Sequence, residues 1–324
     1  MRLILTAENP APEGGVVTMV RAADGMDIRA ARWHPPGDSL GTVLVCPGRA
    51  EFIEKYLEIV GELLARRLTV VVFDWRGQGL SGRELSNRGK GHIDDFSLYE
   101  RDLDALAAQV LEPFCPRPWF GLAHSMGGAI LIAQSRAGRS PFARIVTTAP
   151  MIDLYRLRLP GAARLLAQIL DAAGLGGAFI PGGTARATMS RAFDGNRLTS
   201  DRARFNRFTR VMALEPKLAI GDPTIGWIHA AFRLMGDFAD AEYPRRVLTP
   251  MLVFSAGDDR IVDSRAVERF AQRLKAGSVI AIPNARHEIM MERDSIRSQF
   301  WAAFDAFIPG SSAAAQPLAR SSIA

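Results

Sequence analysis

The sequence predicts an α/β protein built on a mostly parallel, doubly wound sheet with an antiparallel start and a helical cap insertion. Three observations carry this reading. Short apolar runs alternate with segments whose apolar residues recur at helical spacing, the pattern of successive βαβ units. The alternation stops at Pro150 and resumes near Pro250, so a long segment without strand signals lies between two strands. The stretch Trp119 to Ile130, WFGLAHSMGGAI, sets Ser125 between an apolar run and a helix-compatible run, the form of a strand, a sharp turn and a helix.

Taken in order, residues 16–34 read as two strands, VVTMVRA and MDIRAARWH, joined by an Ala-Asp-Gly turn suited to a hairpin. Thr42 to Cys46 is a short buried strand that breaks at Pro47-Gly48. Phe52, Tyr56, Val60 and Leu63 then fall at helical spacing, which predicts a helix over Glu51 to Arg67. Leu68 to Phe73 is the next strand and ends in the loop Asp74 to Gly82. Tyr99, Leu103, Leu106 and Val110 mark a helix, and after the serine turn and its helix comes a strand over Arg144 to Thr148. Asp153 to about Gly221 is helical and loop-like, with a glycine-rich break from Gly174 to Gly183. Thr224 to Met235 reads as a helix returning to the core. A strand at Met251, a helix over Ala266 to Leu274, a strand over Val279 to Ile282 and a closing helix through Ile296, Phe300, Phe304 and Phe307 complete the alternation. The expected division is a core of 1–150 and 222–309, a cap of 151–221 and a Ser- and Ala-rich flexible tail of 310–324.

The composition bounds the function. A chain of 324 residues with 48% hydrophobic and 23% charged residues can bury a large core. No apolar run approaches the roughly 20 residues of a membrane-spanning helix, and the opening MRLIL is too short for a secretory signal. The expected location is the cytoplasm. Cys46 and Cys115 fall at opposite edges of the predicted sheet, which argues against a disulfide. Gly77, Gly79 and Gly82 form a GxGxxG, but the polar RELSNRGKGH that follows has no helical periodicity, so no helix N-terminus is present for a pyrophosphate. These glycines read as turn formers.

Ser125 needs a base and an acid at the carboxyl ends of the strands, where such sheets collect their functional groups. Its small neighbours Ala123 and Gly127 let strand and helix pass closely, although Ala123 stands where the usual G-x-S-x-G has glycine. Of the five histidines, His34 precedes two prolines, His92 sits in a polar loop, His124 adjoins the serine and His229 lies within a helix. Only His287 follows a strand in a loop. Asp259 occupies the equivalent place one strand earlier and is preferred to Asp258, because Gly257 begins the turn; Asp153 is a more distant alternative. The order Ser, Asp, His is that expected for this architecture. Such chemistry requires neither metal nor cofactor.

The pieces CPGRAEFIEKY, FDWRGQGLSGR, GHIDDF, LAHSMGGAI, TAPM, DPTIGW and RHEIMME resemble those of the bacterial lysophospholipase and monoacylglycerol lipase branch of the α/β-hydrolases. The Ala-His-Ser-Met-Gly-Gly form of the turn is most similar to the lysophospholipase side. The resemblance runs from about Thr42 to Phe307 and is weakest across residues 155–200. It implies an α/β-hydrolase fold, a triad of Ser125, Asp259 and His287, and an oxyanion hole formed by the backbone N–H groups of Met126 and Arg49. Where monoacylglycerol lipases show His-Gly, this chain has Pro47-Gly48. The implied activity is hydrolysis of a lipid-like carboxylic ester, with lysophospholipid first. Monoacylglycerol lipase, carboxylesterase, a proline iminopeptidase-type peptidase and a non-catalytic binding protein are the alternatives.

Residues 151–210 hold ten arginines against four aspartates, an excess equal to the +6 of the whole chain. Arg202, Arg204, Arg207 and Arg210 are interleaved with Phe205 and Phe208. This pattern leads to an expectation of peripheral contact with an anionic membrane at its inner face, with Arg204, Arg207 and Phe208 as substrate contacts. A solvated helix face is the plainer reading. No nucleic-acid recognition motif accompanies the charge.

Overall fold

The runs TVLVC and TVVVF are rich in β-branched residues and apolar at every position, so they suit strands covered on both faces. A computed structural model describes residues 2–187 and 192–310 and places them at the centre of an eight-stranded sheet. Its strands are β1 (Val16–Arg21), β2 (Asp27–Trp33), β3 (Thr42–Cys46), β4 (Thr69–Phe73), β5 (Trp119–His124), β6 (Arg144–Thr148), β7 (Met251–Ala256) and β8 (Gly277–Ile282). The spatial order is β1-β2-β4-β3-β5-β6-β7-β8. β1 and β2 form the expected hairpin, β2 runs antiparallel to β4, and every other pairing is parallel.

The helices are α1 (Leu57–Ala65), α2 (Ser97–Leu106), α3 (Glu112–Phe114), α4 (Met126–Arg136), α5 (Pro160–Leu170), α6 (Arg202–Leu214), α7 (Ile225–Phe238), α8 (Ser264–Ala271) and α9 (Asp294–Phe307). The two-residue period of the strands divides their side chains between two cores. Leu44, Cys46, Val71 and Phe73 face α2, α4 and α8. Val43, Val45, Val70 and Val72 face α1 and α9, whose Leu63, Phe300 and Phe304 are fully buried. Helices therefore cover both faces, as a doubly wound sheet requires.

The helix expected over Glu51 to Arg67 is shorter, with a 3₁₀ turn at Ile53–Tyr56 before α1. Side chains from another loop explain the late start: Ile53 N–H donates to Asp74 (2.9 Å) and Ala50 N–H to Gln78 (2.5 Å). These bonds hold the chain in a turn before it can wind. Within the insertion, α6 packs Phe205, Phe208, Val211 and Met212 onto Ala50 and Phe52 beside the β3 loop. α7 packs against α5 while adding Trp227, Ala230 and Ala231 to the core, so it belongs to both regions. Both cysteines are buried free thiols. Among the described residues no helix is long and apolar enough to cross a membrane. The expected tail, apart from Gly310, lies outside the described residues.

Candidate active site

β5 delivers the chain to Ser125 at φ 50° and ψ −113°, a conformation that a non-glycine residue keeps only under firm constraint. Three backbone bonds supply it: Ser125 N–H donates to Thr148 O (3.0 Å), and Ser125 O accepts from Met151 (3.0 Å) and Ala129 (3.1 Å). A Cβ at Gly127 would lie 2.3 Å from Cys46 O, so glycine is required for α4 to cross the end of β3. Ala123, in contrast, is accommodated in the buried core. The serine therefore stands at the carboxyl edge of the sheet between β3 and β6.

His287 arrives from the loop after β8, and Asp259 from the loop after β7. His287 Nε2 lies 3.0 Å from Ser125 Oγ, and Nδ1 lies 2.7 Å from Asp259 Oδ2. An ionised carboxylate only accepts, so Nδ1 carries the proton and Nε2 is left to accept from the serine hydroxyl. Asp259 Oδ1 accepts from the Ile261 and Val262 amides (2.8 and 3.0 Å), which fixes the carboxylate. Burial pushes the Asp259 pKa up, but His287 and the two amides outweigh it and hold it below the usual value. Burial likewise opposes charge on His287, and the Asp259 carboxylate overcomes it to raise the imidazole pKa. Asp258 is exposed and pairs with Arg260, while Asp153 accepts from the amide of Leu154. His124 is packed against His287 with ring centroids 4.7 Å apart and bonds Thr148; burial pulls it down to about 4, leaving it neutral.

The β3 loop brings a second set of groups. The Gly48 amide donates to Glu51 and the Ala50 amide to Gln78, whose Nε2 contacts Met126 Sδ at 3.8 Å. Between them the Arg49 N–H, like the Met126 N–H at the start of α4, has no hydrogen-bond partner among the described residues. Lys55 Nζ bridges Glu51 and Glu288, each at 2.6 Å, and Tyr56 donates to Glu51 at 2.5 Å. Burial raises Glu51, yet Lys55 and His124 pull it down to about 2; burial raises Glu288. This cluster ties the β3 loop to the residue after His287. Sequence reading did not find it. The one local signal was Glu51 and Lys55 at i,i+4 spacing, three residues beyond Pro47-Gly48.

Arg204, Arg207 and Phe208 have a different role from the one expected. Arg204 is 9% exposed and bonds Glu58 (2.7 Å), Asp201 (2.9 Å) and Asp294 (2.6 Å). Arg207 also bonds Glu58 (2.8 Å), Arg202 bonds Asp194 (2.9 Å), and Arg210 pairs with Glu8. Phe208 is buried in the contact between α6 and the β3 loop. Carboxylates from α1, α9 and flanking segments pair with these arginines, so the helix clamps the insertion to the core instead of offering free cations.

Sheet order, the strained serine turn and the loops that converge on it define an α/β-hydrolase. Residues 37–294 match the serine aminopeptidase S33 family. Lysophospholipase L2 of Escherichia coli (strain K12) is 35% identical over 273 residues, 79% of this chain and 76% of that one. The probable lysophospholipase L2 of Haemophilus influenzae is 26% identical over 269 residues, 82% and 83% of the two chains. A soluble variant of monoglyceride lipase from Saccharomyces cerevisiae superposes with a TM-score of 0.71 at 18% identity, covering 92% of this chain and 97% of its own. The chain belongs to the serine aminopeptidase S33 family of α/β-hydrolases, in its lysophospholipase- and monoglyceride lipase-like branch. It is a carboxylic ester hydrolase.

Proposed function

We propose that the protein is a lysophospholipase acting through a Ser125–His287–Asp259 triad and an acyl-enzyme. The hydrogen-bonded chain from Ser125 through His287 to Asp259 carries this reading, and the 35% identity to a lysophospholipase supports the substrate class. His287 Nε2 takes the hydroxyl proton as Ser125 Oγ attacks the acyl carbonyl, while Asp259 holds the imidazole tautomer and stabilises the imidazolium. The Met126 and Arg49 amides donate to the oxyanion, an interaction for which one donor is typically worth about 100- to 1,000-fold in turnover. Collapse of the tetrahedral intermediate expels the glycerol alkoxide, which takes the proton from His287. Water then attacks the acyl-enzyme with His287 as base, and Ser125 is regenerated.

The test is a panel of lysophosphatidylcholine, monoacylglycerol, p-nitrophenyl ester and prolyl amide, each run beside Ser125→Ala. Lysophospholipid turnover abolished in the variant is expected. Preference for the prolyl amide would instead favour the peptidase activity in the family's description.

A peripheral contact with an anionic bilayer is part of the proposal, and α5 supports it better than α6. Leu159, Leu165, Leu166, Ile169 and Leu175 are exposed along α5 and its end. Arg156, Arg158 and Arg164 accompany them, and residues 154–170 hold no acid. An apolar face flanked by cations suits the headgroup boundary of such a membrane.

A further inference from the structure

The oxyanion loop carries a cation without an anion. Arg49 offers its amide to the oxyanion site, while its side chain crosses to the insertion, donating from Nη2 to Gly221 O at 2.9 Å. Its guanidinium lies over the Trp227 ring, 5.1 Å from the centroid. Nε is buried with no hydrogen-bond partner. The buried arginines Arg29, Arg66, Arg76, Arg204 and Arg297 each hold at least one carboxylate. Among the described residues Arg49 makes no such pair: Asp222 acts on it only from a distance, with its carboxylate accepting from the Thr184 amide. Burial draws its pKa down to about 10, which still leaves it charged near neutrality.

Arg49 is half-buried, and a partly desolvated cation with no counter-charge is unfavourable unless something else pairs it. The protein keeps this one on the residue whose amide faces the reacting carbonyl. In a lysophospholipid the glycerol separates the acyl carbonyl from the phosphate, a span comparable with an arginine side chain. We propose that Arg49 recognises the phosphate of the substrate headgroup and so selects lysophospholipid over monoacylglycerol, an inference that rests on the lysophospholipase reading. Arginine suits the task because its planar fork matches phosphate oxygens, and Trp227 orients that plane. A monoacylglycerol has the same ester and no anion, so it would leave the guanidinium unpaired.

The experiment compares wild type, Arg49→Met and Arg49→Lys on lysophosphatidylcholine and on monoacylglycerol of the same acyl chain. Because hydrogen bonds to charged groups are involved, the ratio of the two kcat/KM values is expected to fall roughly 10- to 100-fold in Arg49→Met. The loss should lie mainly in KM and be only partly restored in Arg49→Lys, which keeps the charge but not the planar fork. An unchanged ratio overturns the assignment. Competition against a neutral p-nitrophenyl ester gives a second arm, which does not need lysophospholipid turnover. Glycerophosphocholine is expected to inhibit wild type competitively and Arg49→Met at least about tenfold less well. Inhibition by inorganic phosphate but not by glycerophosphocholine would make this a free-phosphate site and overturn the headgroup assignment. A wild type that cleaves monoacylglycerol but ignores lysophosphatidylcholine refutes the functional reading itself, while the competition arm still reports on Arg49. Thermal melts of the variants separate misfolding from loss of recognition.

Discussion

The loop after β3 and helix α6 both carry arginines, and they use them in opposite ways. On α6 the guanidinium groups are met by Glu58, Asp201, Asp294 and Glu8, and the phenylalanines between them are buried against the core. On the loop, Arg49 meets a carbonyl and an indole but, among the described residues, no carboxylate. Local charge density therefore does not locate a ligand; the absence of an internal partner is the better guide. A second contrast separates the end of β5, where the Ser125, His287 and Asp259 side chains are hydrogen-bonded in a chain, from the outer face of α5, where Leu165 and Leu166 are half exposed.

The sharpest break in this comparison comes from the serine turn. Ser125→Ala should fold normally and lose turnover by about 10⁴-fold or more, since only the oxyanion donors and binding remain. Retained activity measured by kcat on the ester panel would remove Ser125 from the mechanism. Asp259→Asn should lower kcat by about 10⁴-fold, because an amide leaves the imidazole in the wrong tautomer. A kcat within tenfold of wild type would show that Asp259 does not orient His287.

Glu288→Gln tests the buried bridge from the His287 loop through Lys55 to the loop after β3. The free enzyme needs neutral His287 as base, and the acid limb of kcat/KM follows its pKa. That pKa is raised, chiefly by Asp259 against the effect of burial, and Glu288 contributes in the same direction. Removing a neighbouring negative charge makes the imidazolium less stable, so the acid limb should move to lower pH in Glu288→Gln. An unmoved limb would show that Glu288 is structural alone.

Why some of this was legible in the sequence and some was not follows from where the partners lie. Ser125 announced itself because the turn constrains its near neighbours, and Gly127 meets that constraint against Cys46 O. That His287 and Asp259 would meet beside Ser125 was legible because strand alternation fixes which loops share an edge. The charge network was hidden, since the acid that neutralises Arg204 at Nε lies 146 residues away and the one at Nη2 lies 90 away. No local pattern reports such pairing. Gln78 was lost for a similar reason: its loop was read through its glycines, and its bond to the Ala50 amide spans 28 residues.

Arg204→Ala should be less drastic for chemistry and clear for stability. Removing this guanidinium takes a partner from Glu58, Asp201 and Asp294 and loosens α6 from α1, which by analogy with broken buried pairs costs about 3 kcal/mol. Denaturant unfolding measures it. A variant of unchanged stability that fails to bind lysophospholipid would restore the substrate-contact role for Arg204.

The smallest effect on the folded protein should come from α5. Leu165 and Leu166 are 56% and 50% exposed, so replacing both with serine removes only part of a leucine's burial at each and should lower the unfolding free energy by about 1–2 kcal/mol. If that face meets a bilayer, the same change should reduce cosedimentation with anionic vesicles while leaving turnover of a soluble p-nitrophenyl ester intact. High salt should weaken the binding of the parent protein through Arg156 and Arg158, but only in part, because the leucines contribute a term that salt does not screen. Equal vesicle binding by both proteins would leave the exposed leucines as ordinary surface and return the question of membrane contact to other faces.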